Sequence, residues 1–317
     1  MTTPRATYRL QLRAGFGFSQ AAAIAAYLAR IGVSHAYLSP IFKARPGSPH
    51  GYDITDHARL NPELGSEAEY SEMIDAFQRE GLGVILDVVP NHMGVGGADN
   101  PFWLDVLEWG PESRYAGWFD IDWGAGGGKL LAPVLGAQYG EELRRGQLAL
   151  RFGDDGTFAV WAYGVHKLPV CPLTYPMILG HDSEALDRLS DRFLDLPNWR
   201  PQIAERASCL EAELAELALS DPTRREIDER VAVFNQDWRE LDRLISTQFW
   251  RVAFFRVAED ETTTGASSTS TIWRASGWSS RRCSRMRTQG RSPCSRLARS
   301  TACGSITLTD CSIPGPI

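Results

Sequence analysis

Val84-Ile85-Leu86-Asp87-Val88-Val89-Pro90-Asn91-His92 is the stretch on which the reading of this chain turns. Val84–Val89 is apolar on both faces apart from Asp87, as in a parallel strand covered on both sides. Pro90 has no amide hydrogen for a ladder, so the strand ends there and Asn91 and His92 project from its rim. Just upstream, Gly81 and Gly83 close a helix that opens at Ser66-x-x-Glu69, a capping box. Tyr70, Met73, Ile74 and Phe77 recur along that helix at the spacing of one buried face. Further back, Ser34–Leu38 reads as a second strand, stopped by Pro40. Before it, Ser19 caps a helix whose Ala21, Ile24, Ala25, Leu28 and Ile31 share a face, ended by Gly32. The alternating run Thr7–Leu12 is the first strand. Three strands joined by two crossover helices give an α/β parallel architecture. Pattern alone leaves a doubly wound sheet and a (β/α)8 barrel both open.

Forward of His92 the rhythm changes. Ile41–Gly65 reads as a long polar loop, whereas residues 94–182 are rich in Gly, Trp, Tyr and Pro. Strand-like pieces at Gln147–Phe152 and Thr157–Tyr163 predict a β-rich insertion there. The run Gly124–Lys129 fails the phosphate-loop pattern at Trp123 and Leu130, so it reads as a turn. From 183 to 261 the chain is helical and charged, with Leu186, Leu189, Phe193, Leu241, Leu244, Ile245, Phe249, Val252 and Phe255 at helical intervals. Pro197, Pro201 and Pro222 divide it. The expected organisation is 1–93, three βα units; 94–182, insertion; 183–261, helical segment; and 262–317, a tail of different character.

Composition marks that tail. The chain has 317 residues and a net charge of −6, but 262–317 holds eight Arg, one acidic residue and no Lys, Tyr, Phe or Val. The tail is thus +7 and the rest −13, which argues against a nucleic-acid partner. No run approaches the roughly 20 apolar residues of a membrane helix, and the opening residues lack a secretory apolar core. With Cys171 and Cys209 alone outside the tail, a reducing cytoplasm is expected.

The candidate site gathers at the carboxyl ends of the strands, where parallel α/β sheets place functional groups. Asp87, Asn91 and His92 stand at the end of the third strand. In His50-Gly51-Tyr52-Asp53, Tyr52 can offer its ring to the C–H face of a sugar, or the segment can be a turn in which Asp53 bonds backbone amides. Likewise Asp87 reads on residues alone as a carboxylate that ties down a neighbouring loop. Trp103, Trp109, Trp118, Phe119 and Trp123 pack mostly into a small core. The spacing of His50, His57 and His92 fits no zinc pattern, and no cofactor or metal is expected.

DVVPNH, preceded by HGYDITDH, resembles the α-amylase family of retaining glycoside hydrolases and transglycosylases. TYRLQLRAGFGF, HAYLSPIFKARPGSPHGYDITDHARLNPELG, GVILDVVPNHMG, WLDVLEWGPESRYAGWFDIDW and LLAPVLG extend the resemblance over residues 5–261, toward the branch of trehalose-forming glucosylmutases. The resemblance implies a (β/α)8 barrel with a domain inserted after its third strand, and a maltooligosaccharide or α-1,4-glucan substrate. It also implies that Asn91 and His92 line the subsite of the reacting glucose and that Tyr52 stacks on the ring. Asp87 and Asp53 would be structural, and no membrane or nucleic acid would be involved. A plain α-amylase or a 4-α-glucanotransferase is the neighbouring reading.

Retaining chemistry needs two carboxyl groups roughly 5 Å apart. In the family these follow the fourth and fifth strands, and here the resemblance ends at FFRVAEDE. Restoring one base after Glu261 allows codons for Thr262–Trp278 to read INYRRFFDINDLAGLRM. In the same neighbouring frame Ser300–Gly315 is compatible with VDGLRVDHLDGLFDPG, a strand-four motif with its nucleophile codon where Ile306 stands. The tail therefore reads as an out-of-frame translation, against the alternative of a genuine disordered Ser/Thr/Arg-rich segment. Three of eight barrel strands with no catalytic carboxylate predict a poorly stable, inactive product, at most a weak glucan binder.

Overall fold

The computed structural model describes residues 3–89, 92–180, 183–199 and 202–259, with the backbone of 273–275 and 306–308. The chain divides into two compact units, 1–95 with 270–317, and 96–269.

The first unit begins with β1 (Thr7–Leu10), α1 (Phe18–Ala23), α2 (Ala25–Arg30) and β2 (His35–Leu38). It continues with β3 (Phe42–Ala44), β4 (Ile54–Leu60), α3 (Glu67–Arg79), β5 (Gly83–Leu86) and β6 (His92–Gly94). β1 pairs in parallel with β2, and β2 in parallel with β5, in the expected order. The capping box forms as read: Ser66 Oγ accepts the Glu69 amide at 3.2 Å, and the Ser66 amide donates to Glu69 Oε2 at 2.7 Å. It starts α3 so that Tyr70, Met73, Ile74 and Phe77 are buried. These meet Phe18, Leu28, Leu38 and Ile54 in one core. Truncating a residue as enclosed as Phe77 to Ala costs about 3–5 kcal/mol in such a core.

Two expectations for this unit are corrected. The helix expected from Ser19 is two short helices that meet at Ile24. Its cap is Gly17, whose amide donates to Gln20 Oε1, while Ser19 Oγ donates to Glu69. Residues 41–65 are not all loop: β3 and β4 form an antiparallel hairpin with Phe42 opposite Leu60 and Ala44 opposite Ile54. Phe42, Ala44 and Ile54 are buried, and their burial outweighs the polar character of Thr55, Asp56 and His57, which follow Ile54 in β4.

The second unit contains α4 (Pro101–Trp109), β7 (Leu130–Leu135), α5 (Tyr139–Arg144), β8 (Leu148–Phe152), β9 (Phe158–Ala162) and β10 (His166–Pro169). The helices α6 (Pro176–Leu179), α7 (Glu184–Leu194), α8 (Ile203–Leu217), α9 (Asp221–Gln236) and α10 (Trp238–Ser246) lead to β11 (Trp250–Phe254). β8 and β9 lie at the two places read as strands, and β10, which was not read from the sequence, completes their antiparallel sheet. The glycine run 124–128 is a turn, with the Gly128 amide on the Trp123 carbonyl at 2.8 Å. Trp103 and Phe119 pack edge to face at 5.0 Å, and Phe102, Tyr115 and Trp118 form a second group. The helical reading fails at its end, because residues 250–254 are a strand parallel to β7. Phe249, Val252 and Phe255 fit a three-residue spacing, yet buried Trp250 and Val252 flank exposed Arg251 at the two-residue period of a strand.

Also in the first unit, the backbone of β12 (Trp273–Ala275) runs antiparallel to β6, and that of β13 (Ile306–Leu308) parallel to β5. Together β1, β2, β5 and β13 make a four-stranded parallel sheet.

Candidate functional site

Parallel pairing puts the carboxyl ends of β1, β2 and β5 at one edge of the sheet, where Arg9, Tyr37 and Asp87 meet. Arg9 of β1 donates from one guanidinium nitrogen to Asp87 Oδ2 at 2.8 Å, and from another to the Tyr52 hydroxyl at 3.0 Å. Tyr52 in turn donates its hydroxyl proton to the same Asp87 oxygen at 2.5 Å. The Arg9 guanidinium also lies over the Tyr37 ring of β2, 4.7 Å from its centre. Asp87, one residue past β5, is therefore ringed by a cation and two phenols. Burial, followed by the Asp87 carboxylate, pushes both the Tyr52 and Tyr37 phenols above their ordinary range. Both stay protonated at neutral pH and act as donors.

The loop that carries Tyr52 is fixed by its own polar groups. Ser48 Oγ donates to Asp53 Oδ1 and accepts the Gly51 amide. His50 Nδ1 accepts the Tyr52 amide at 3.1 Å, and the His50 and Tyr52 rings lie 5.9 Å apart at 32°. Gly51 has φ +77°, where a side chain would be strained. On the next strand, Gly94 passes so close to this loop that a Cβ there would sit 2.9 Å from the Asp53 carbonyl oxygen. β6, which begins at His92, thus runs directly beside the Tyr52–Asp53 segment. Of the residues singled out from the sequence, Tyr52, Asp53 and Asp87 come together around one strand end. Asn91 lies outside the described residues, and of His92 only the backbone is described.

Tyr52 presents its hydroxyl to Asp87, so its ring is held in a defined orientation at the strand ends. Asp87 ties down the Tyr52 loop while neutralising Arg9. Arg9 and Tyr37 were not among the residues singled out. Their signal lay in TYRLQL and HAYL: each is a long polar side chain near the end of a parallel strand. Among the described residues no group of three potential metal ligands occurs, and no helix is long and apolar enough to cross a membrane.

The geometry can be set beside known proteins. Residues 24–143 match the family described as alpha amylase, catalytic domain. The chain is 44% identical over 158 residues to a putative maltooligosyl trehalose synthase of Mycobacterium tuberculosis, covering 45% of this chain and 21% of that protein. It is 39% identical over 95 residues to the maltogenic alpha-amylase of Bacillus acidopullulyticus, covering 30% and 15%. A crystal structure of a maltooligosyl trehalose synthase superposes with a TM-score of 0.60 at 25% identity, over 86% of this chain and 28% of that one. The maltooligosyltrehalose synthase of Arthrobacter ramosus does so at 0.59 and 26% identity, over 94% and 33%. The aligned stretch spans about a fifth of the M. tuberculosis relative and a third or less of these structures. The resemblance to the α-amylase family, and within it to the trehalose-forming branch, holds in both sequence and fold. The parallel strands are accordingly the first part of a (β/α)8 barrel.

Proposed function

We propose that this chain is the amino-terminal part of a trehalose-forming glucosylmutase whose reading frame changes after Glu261. The complete enzyme would rearrange the reducing-end bond of a maltooligosaccharide by a retaining double displacement, giving maltooligosyl trehalose in the cytoplasm. The 44% identity to a putative maltooligosyl trehalose synthase carries this reading. Tyr52, Asn91 and His92 would bind the reacting glucose, with Asp53 and Asp87 shaping the site. The chain as it stands would be inert, because its resemblance stops before the strands that bear the nucleophile and the acid.

Two features support the change of frame. The composition shifts abruptly at residue 262, from a net charge of −13 to +7. In addition, Ile306–Leu308 runs parallel beside β5, where a fourth barrel strand belongs. Those are the codons that can spell a strand-four motif in the neighbouring frame. A plain α-glucan hydrolase is the second reading, favoured by the 39% identity to a maltogenic amylase.

The test restores one base after Glu261 together with the downstream gene. Maltopentaose is then incubated with the present chain, the repaired chain and the repaired His92→Ala variant. The repaired chain should form a non-reducing product, the present chain none. Loss of one preorganised donor at His92 should slow the repaired enzyme roughly 10²-fold. Release of reducing sugar instead would favour the hydrolase, and turnover by the present chain would overturn the inert-fragment reading.

A further inference from the structure

The antiparallel sheet of the second unit has one buried face and one open face. Its registers place Arg151 opposite Ala159, and both Ala149 and Lys167 opposite Trp161. These five residues share a face, since side chains alternate along a strand. The other face carries Leu148, Leu150, Phe158, Val160 and Leu168, all buried. On the Trp161 face, Ala159 at the cleft floor is too small to fill the space beside the indole. A cleft of about 430 Å³ results, lined by Arg151, Asp154, Asp155, Thr157, Trp161 and Lys167 among others. That volume falls within the roughly 300–1,000 Å³ of small-molecule sites.

The polar groups of the cleft select its ligand. Among the described residues, neither Arg151 nor Lys167 forms an ion pair within 4 Å. The Arg151 guanidinium rests over the indole, 5.2 Å from its centre, and can turn toward a ligand without breaking a salt bridge. Asp154 pairs with Arg224 at 3.2 Å, and Asp155 Oδ1 accepts from the Thr157 hydroxyl at 2.7 Å. Each carboxylate keeps further lone pairs for accepting hydrogen bonds. An anion would meet Asp154 and Asp155, and a cation would meet Arg151 and Lys167. A neutral polyhydroxylated ring meets neither penalty. Its hydroxyls can accept hydrogen bonds from the two cations and donate them to the two carboxylates, while its C–H face lies on the indole.

We propose that this cleft is a carbohydrate-binding site separate from the strand-end cluster, with a pyranose face stacked on Trp161. The choice of an α-1,4-glucan as the sugar rests on the proposed function.

The test is calorimetric titration of the full chain with maltoheptaose, and in parallel with a cello-oligosaccharide and with citrate. Trp161→Ala should weaken saccharide binding roughly tenfold or more, and Lys167→Met should weaken it measurably. Tyr27→Ala, an exposed residue of the other unit, should leave this binding in place. Thermal melts confirm that each variant folds; if Trp161→Ala does not, Lys167→Met decides. A cello-oligosaccharide bound in place of maltoheptaose, and lost in the same variants, would support the site and count against the proposed function. Binding of citrate alone, no saccharide bound, or undiminished affinity in the folded variants would overturn the site.

Discussion

Raising the pH should destabilise the second unit, because it encloses two glutamates from different helices. Glu108 on α4 and Glu211 on α8 are both held above the ordinary glutamate value, to about 8 and about 7. Burial is the larger cause for each. Glu108 also faces Glu211 and Asp105, with Trp109 and Lys167 acting in the opposite sense. Glu211 accepts the Tyr175 hydroxyl at 3.1 Å and faces Asp155 and Lys167. In the unfolded chain both glutamates ionise near 4.5, so between that pH and about 8 the folded unit binds more protons. Stability therefore falls as pH rises through this window and levels off above it. At about 1.4 kcal/mol per pH unit, and discounting for the coupling of the two groups, the loss from pH 5 to pH 9 is on the order of 4 kcal/mol. For a unit of this size that lowers the melting temperature by roughly 10 °C. Melts followed by circular dichroism across this range, for the wild type and Glu108→Gln, are the assay. Gln resembles the protonated acid, so the variant should match the wild type at pH 5 and exceed it at pH 9. A wild-type melting temperature that stays level or rises, or an equal slope in the variant, would refute the reasoning.

Two further outcomes follow from single contacts. Asp87→Ala strands the Arg9 guanidinium and the Tyr52 hydroxyl; with Arg9 about a third exposed and screened by water, urea unfolding should show a loss of about 2 kcal/mol. Asp87→Asn, which keeps an acceptor for Tyr52, should lose less. Gly156→Ala combines a φ of +78° with a Cβ only 1.9 Å from the Glu211 carbonyl oxygen. Limited proteolysis should find the β8–β9 turn opened, at a cost of about 3 kcal/mol or more.

The parts of the fold legible in the sequence were those where one physical signal acted alone. The apolar run at Val84–Val89 is too short for a competing helical reading, although the paired strand, Gly83–Leu86, stops before Asp87 and not at Pro90 as read. Ser66 and Glu69 satisfy each other's orphan amides through contacts three residues apart, so tertiary context is not needed to see them. The β3–β4 hairpin was hidden because its stability comes from burying Phe42, Ala44 and Ile54 against distant residues, while the intervening segment looks like a polar loop. β11 was hidden by ambiguity of period: a pattern that fits three-residue spacing at Phe249, Val252 and Phe255 also fits two-residue spacing at Trp250 and Val252. At the site, Asp87 and Tyr52 were visible as chemistry at a strand end. Arg9 and Tyr37 were not, since what makes them matter is the parallel register that brings three strand ends together.

That register also bears on what the strand-end cluster can do. Asp87 is a carboxylate at the end of the third barrel strand, the kind of place where a nucleophile is sought. Its Oδ2 atom, however, accepts from both Arg9 and Tyr52, and Tyr37 faces the same carboxylate. A charge-assisted bond from a guanidinium withdraws electron density from the oxygen that would have to attack. Asp87 is built to hold Tyr52 and its loop, and the same bonds that make it a good anchor make it a poor nucleophile. Under the function proposed above, the covalent step belongs to a carboxylate from strands after β5. On that proposal, restoring the frame beyond Glu261, and not altering Asp87, is the change expected to bring activity.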